Sequence, residues 1–186
     1  MLIHLSGDIE MKLLFLYFCE CNANYTDLDM NTLKIGQIAP YFKGTDQNEK
    51  IWDLNSFSGK RLILYFYPKA STPGCTAETC NFRDNYKSLL GKGFAVVGVS
   101  ADSIKRQKKF AENNGISFPL LADENREIIK AYGCWGLKKL YGKEYEGIFR
   151  KTFVIDKNGK IELIIDKVKT NAATEQLLEA LKDKNE

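Results

Sequence analysis

A chain of 186 residues with 44% hydrophobic and 27% charged side chains has ordinary globular composition, which excludes a disordered or fibrous protein. Its formal charge of +3 is modest, and its longest apolar run, Leu13–Cys19, falls far short of the ~20 residues a membrane-spanning helix needs. The single histidine, His4, argues against Cys–His hydrolases, histidine-ligated metal sites and two-histidine metalloproteases, because imidazole is the usual partner in each. Any cysteine chemistry must be activated by other means.

Residues 1–30 hold five acids and one base and show no helical or strand periodicity. Their apolar run is too short for a secretion signal and is preceded by acids, so they are read as an N-terminal extension, disordered or artefactual. Residues 31–186 are read as one domain. Ile38–Lys43 and Lys50–Leu54 flank Asp46-Gln47-Asn48 as a hairpin. Leu62–Tyr67 is an unbroken apolar run, which predicts a strand buried on both faces. A helix over Pro73–Leu90 follows, closed by Gly91 and Gly93, and then a second buried strand, Phe94–Val99. Next come a helix over Ser103–Asn114 ended by Gly115, a short strand over Phe118–Leu121, and a helix over Glu124–Tyr132 capped by Asp123.

A Gly-, Tyr- and Lys-rich stretch then reads as a loop. Thr152–Ile155 and Lys160–Ile165 form a hairpin around Asp156-Lys157-Asn158-Gly159, and Asn171 caps a last amphipathic helix carrying Leu177, Leu178 and Leu181. Alternating strands and helices that end in a hairpin predict an α/β domain with a mixed central β-sheet flanked by helices. The basic run at 105–109 reads as a solvated helix face, because no nucleic-acid motif accompanies it.

The chemistry concentrates in Tyr67-Pro68-Lys69-Ala70-Ser71-Thr72-Pro73-Gly74-Cys75-Thr76-Ala77-Glu78-Thr79-Cys80. Thr72 before Pro73 is an N-cap followed by proline at the first helical position. Cys75 therefore falls in the first helical turn, where unpaired N–H groups and the helix dipole favour an anion. Thiols at helix N-termini ionise more readily than free ones, which supplies a thiolate without histidine.

On that helix Phe82, Tyr86, Leu89 and Leu90 form the apolar stripe. Cys75 shares it, whereas Cys80 lies nearly opposite. Five helical residues separate their Cα atoms by roughly 9 Å, beyond the reach of a disulfide, so any bond between them requires the first turn to unwind. Glu78 is read as a solvated side chain, Trp52 and Trp135 as packing residues, and Cys134 as a packing residue or an exposed spectator. Cys19-Glu20-Cys21 could complete a four-cysteine zinc site only from within the extension. No glycine-rich phosphate loop is present.

With these residues in hand, residues 33–184 resemble a peroxiredoxin of the bacterioferritin-comigratory-protein or Q-type subgroup. Pro68, Thr72 and Cys75 match the family's Pro-x-x-x-Thr/Ser-x-x-Cys pattern, and Cys80 five positions later points to the subgroup. Tyr65-Phe66-Tyr67-Pro68-Lys69, Cys134-Trp135-Gly136 and Gly147-Ile148-Phe149-Arg150-Lys151-Thr152-Phe153-Val154-Ile155-Asp156 add matches in order.

The resemblance implies a thioredoxin-like fold and a peroxidase that needs no cofactor or metal. Cys75 would attack a hydroperoxide and become a sulfenic acid. Thr72 would orient sulfur and peroxide, Pro68 would shield the pocket, and Arg150 would favour the thiolate and hold the peroxide. Cys80 would resolve the sulfenic acid to a redox disulfide with Cys75, which thioredoxin reduces.

A hydroperoxide substrate, thioredoxin as reductant, no nucleic acid, no membrane, a monomer rather than a dimer and a cytoplasmic setting complete the expectation. Two other readings stay open: a thiol–disulfide oxidoreductase, which would prefer Cys-x-x-Cys, and a non-enzymatic cysteine-cluster module binding metal or holding clients.

Overall fold

Leu62 through Tyr67 are all buried, as an apolar run sandwiched between two layers must be. A computed structural model describes residues 32–140 and 142–183; the extension at 1–30, with Cys19 and Cys21, lies outside the described residues. Strands β1 (Lys43–Asp46) and β2 (Ile51–Asp53) form a hairpin, a 3-10 turn covers Leu54–Phe57, and β3 (Arg61–Phe66) leads to helix α1 (Pro73–Gly91). Then follow β4 (Phe94–Ser100), α2 (Ile104–Asn114), β5 (Leu120–Ala122) and α3 (Glu127–Ala131). Strands β6 (Trp135–Leu140), β7 (Lys143–Ile148), β8 (Lys151–Ile155) and β9 (Ile161–Ile165) precede helix α4 (Ala173–Lys182).

Seven strands make one mixed sheet in the order β2-β1-β5-β4-β3-β8-β9, while β6 and β7 form a separate ribbon. β4 pairs in parallel with both β3 and β5, and β8 runs antiparallel to β3. The α/β class with a mixed sheet and flanking helices is therefore as expected.

Side chains of β3 alternate between two cores. Ile63, Tyr65 and Tyr67 face Phe82 and Leu89 of α1, Phe110 of α2, and Leu177 and Leu181 of α4. Leu62, Leu64 and Phe66 face Ile128 and Ile129 of α3, with Tyr132 and Phe153. Burying one such side chain is worth about 1.5–3 kcal/mol, so the paired cores lock β3 at the sheet centre. Gly98 of β4 is required here: a Cβ would lie 2.7 Å from the Tyr65 ring.

Several local expectations are corrected. The first strand begins at Lys43 rather than Ile38, because Pro40 has no N–H to donate; Ile38 makes only a lone bridge to Lys160. The fifth strand starts at Leu120 rather than Phe118. Helix α3 starts at Glu127, not Glu124, after a left-handed Arg126, yet the Asp123 carboxylate still accepts the N–H groups of Glu127 and Ile129. The stretch read as a loop contains the β6–β7 ribbon, turned at Gly142 with φ 78°.

Asn171 is not the cap of α4. That role falls to Asn81 of α1, whose Oδ1 accepts from the Thr174 N–H at 2.8 Å. Leu90 leaves the apolar stripe and is 46% exposed. Lys105, Arg106, Lys108 and Lys109 are exposed as expected, whereas Gln107 between them is buried.

Candidate active site

The site is built where β3 ends and α1 begins. Tyr67 continues the sheet through its N–H to the Val99 carbonyl, and Pro68 then leaves it. Ser71 adopts a left-handed conformation, φ 64°, which costs a non-glycine residue about 1–2 kcal/mol and turns the chain sharply into the helix. Thr72 occupies the N-cap position and Pro73 opens the helix, as read from sequence. The Thr72 hydroxyl does not cap an N–H; it donates to the Lys69 carbonyl at 2.9 Å and ties off the loop. Pro68 is half-buried.

Cys75 lies in the first turn of α1 and is 1% exposed. Arg150, between β7 and β8, extends Nη2 to 3.2 Å from the Cys75 Sγ. Its Nη1 donates to Glu78 Oε2, so one guanidinium fork spans a sulfur and a carboxylate. Burial pulls the Arg150 guanidinium down, but the charge of Glu78 and the bond to Cys75 outweigh it and leave it above its ordinary value. A permanent cation thus stands against the sulfur.

Glu78 corrects the sequence reading: it is fully buried rather than solvated. Burial raises its carboxyl to about 7, opposed by the Arg150 charge, and Oε1 has no hydrogen-bond partner. The signal was available, because Glu78 lies three residues after Cys75 and four before Phe82, which is one helix face.

Tyr65 and Tyr67 stack below the site. Burial raises both phenols, so they stay protonated and donate, Tyr65 to Thr79 Oγ1 at 3.1 Å and Tyr67 to Gln107 Oε1.

Cys80 is not brought to Cys75. Its thiol donates to Asn114 Oδ1 at 3.7 Å, at the far end of α2, while α1 is unbroken and Cys75, Cys80 and Cys134 are free thiols. Arg83 clamps the same corner by donating to the Asn114 carbonyl at 2.6 Å. Cys134 packs in the opposite core, where burial pushes its thiol well up. Trp52 donates to Asp46 Oδ2 and stacks on Phe57, and Trp135 lies under the Arg126 guanidinium; both pack as expected.

Among the described residues no three His, Cys, Asp or Glu side chains stand together as a metal site. No helix among them is long and apolar enough to cross a membrane. The arrangement suits a sulfur nucleophile attacking a polar bond: the Arg150 guanidinium meets the negative charge, and the Tyr65 and Tyr67 phenols beneath stay protonated.

Residues 35–164 match the AhpC/TSA family. Peroxiredoxin Bcp of Escherichia coli K12 is 44% identical over 154 residues, covering 83% of this chain and 99% of that protein. Peroxiredoxin Bcp of Bacillus subtilis is 41% identical over 155 residues, again covering 83% and 99%. Among solved structures, the bacterioferritin comigratory protein of Xanthomonas campestris, studied for its alkyl peroxide reduction activity, superposes with a TM-score of 0.72 at 32% identity. It covers 78% of this chain and 92% of its own.

Proposed function

Because the chain belongs to the AhpC/TSA family and is a peroxiredoxin, a thiol-dependent peroxidase, we propose that Cys75 is the sulfur that attacks the hydroperoxide. The observation that carries this reading is the Arg150 guanidinium 3.2 Å from a buried sulfur at a helix N-terminus.

The thiolate attacks the terminal oxygen of R–O–O–H. An S–O bond forms, the O–O bond breaks, and the sulfur gives up two electrons to become a sulfenic acid. The leaving alkoxide or hydroxide takes up a proton equivalent to the one the thiol released. Arg150 stabilises charge on both sulfur and departing oxygen. Thr72 accepts the peroxide hydroxyl, since its own proton is committed to Lys69 and its oxygen retains acceptor capacity. Pro68 walls the loop side of the sulfur.

Cys80 then condenses with the sulfenic acid, releasing water and forming the Cys75–Cys80 disulfide. An intact α1 keeps the two sulfurs apart, so the helix start unwinds first. A thioredoxin-class dithiol reduces the disulfide by exchange. Substrates of this reading are hydrogen peroxide and organic hydroperoxides, and the enzyme works as a monomer. Five cysteines with a single functional pair among them fit a reducing, cytoplasmic setting. Residues 31–186 serve as its catalytic domain.

Peroxide consumption driven by thioredoxin and its reductase tests the reading. Cys75→Ser abolishes turnover, and Cys80→Ser permits one oxidation and then stalls. Full cycling by either variant removes the corresponding role, and disulfide exchange without peroxide turnover indicates an oxidoreductase instead.

A further inference from the structure

A second polar network lies behind the loop that carries Cys75. Asp102, just beyond β4, is 7% exposed, and its Oδ2 accepts the Ala70 N–H at 2.7 Å. The same oxygen accepts the Ser100 hydroxyl at 2.8 Å, and Oδ1 pairs with Arg106 Nε at 3.2 Å. Ser100 Oγ in turn accepts from the Asp102 N–H at 3.2 Å and from Gln107 Nε2 at 2.9 Å. Gln107 also donates to the Leu121 carbonyl at 3.1 Å and accepts from the Tyr67 hydroxyl. Every member is satisfied, and the network joins Tyr67 just beyond β3, together with β4, β5 and α2, to one loop amide. Buried networks of this kind rigidify what they hold.

Ala70 is buried and immediately precedes Ser71, the left-handed residue that aims the chain into α1. A conformation of that sort persists only where its surroundings over-determine it. Thr72 and Cys75 follow within one turn, so an error at Ala70 propagates to both.

Resting on the assignment of Cys75 as the attacking sulfur, we propose that Asp102 is a positioning residue for peroxide reduction, clamping the Ala70 amide so that the Ser71 turn holds Thr72 and Cys75 in attack geometry. Asp102 touches neither sulfur nor peroxide in this role. It acts through the backbone of Ala70.

The test uses the full chain and its Asp102→Ala and Asp102→Asn variants. Hydrogen peroxide oxidation of Cys75 is followed by stopped-flow, alkylation of Cys75 by iodoacetamide is followed separately, and exchange of the Ala70 amide by NMR. Asp102→Ala slows peroxide oxidation by ~10-fold or more, the scale on which sub-ångström misplacement acts. Its alkylation stays near wild type, because that reaction does not use Thr72 or bound peroxide. Asp102→Asn retains an acceptor oxygen for Ala70 and restores peroxide oxidation.

Wild-type oxidation in Asp102→Ala overturns the proposal. So does faster alkylation there, which signals a loosened fold exposing a buried sulfur. Should Asp102→Ala not fold, the Ala70 amide decides: protection in wild type and Asp102→Asn supports the clamp, and free-loop exchange in either overturns it. Oxidation of the wild type at a cysteine other than Cys75 defeats the functional assignment, while the amide data still report the clamp.

Discussion

Arg150 and Cys75 are 75 positions apart in the chain, yet a guanidinium nitrogen lies 3.2 Å from the sulfur. The other arm of the same fork grips Glu78, one helical turn after Cys75, so Arg150 ties the start of β8 to the start of α1. A point charge cannot reproduce that double contact. Arg150→Gln is expected to slow peroxide oxidation about 10²-fold, the usual cost of removing a preorganised donor at developing charge. Arg150→Lys should recover only part of the loss, because lysine lacks the fork. Stopped-flow rates for both variants check this, and equal rates for lysine and arginine would show that charge alone suffices.

Stability carries a pH signature from Glu78. Burial lifts its carboxyl from an ordinary 4.5 to about 7 in the folded chain. The folded state therefore holds a proton that the unfolded chain gives up, so this contribution is complete below about pH 4.5 and is lost as pH rises to about 7. Between pH 4.5 and 7.5, wild type is expected to lose on the order of 2–3 kcal/mol relative to Glu78→Gln. Urea titrations of both proteins across that range measure it. Parallel stability curves would mean that burial does not raise the Glu78 carboxyl above its unfolded value.

The proposed resolution of Cys75 by Cys80 requires the start of α1 to open, and a glycine at position 74 is expected to favour that opening. A Cβ at Gly74 meets only ordinary contacts, Arg150 Nη2 at 3.5 Å and Thr170 Cγ2 at 3.9 Å. Alanine favours helix over glycine by up to about 1 kcal/mol, so Gly74→Ala is expected to slow disulfide formation by as much as ~5-fold. Sulfenic acid formation should change much less. Tryptophan fluorescence and thiol trapping separate the two phases, and an unchanged resolving phase would argue that the helix start already opens freely.

Gly136 of β6 supports the site from outside. A Cβ there would lie 2.8 Å from the Phe149 ring, and Phe149 precedes Arg150. Gly136→Ala forces the ring aside at a cost of about 1–3 kcal/mol. Displacement of Arg150 should lower the peroxide rate roughly 10-fold. A rate equal to wild type would show that the ribbon and Arg150 move independently.

Much of the candidate site is legible in the sequence because local rules govern it. The buried run at β3, Pro73 at the first helical position and the opposed faces of Cys75 and Cys80 are set by short-range sterics and helical period. Local rules place Glu78 in solvent because carboxylates are rarely buried unless paired, and its partner lies 72 residues away. The Asp102–Ala70 bond spans 32 residues and follows from no local pattern. The β6–β7 ribbon leaves no periodic pattern in the sequence, because most of its side chains are charged or small. Asn171 looked like a cap from its neighbours alone, whereas the bond to α4 comes from Asn81 on another helix.

Reduced protein receives one equivalent of hydrogen peroxide, with a sulfenic acid trap in a Cys80→Ser background, and each cysteine is mapped by mass spectrometry. The expected result is trapped sulfenic acid at Cys75 alone in that variant, and a Cys75–Cys80 disulfide in the wild type. Oxidation appearing first at Cys80 or Cys134, or a Cys75 indifferent to peroxide, would contradict it.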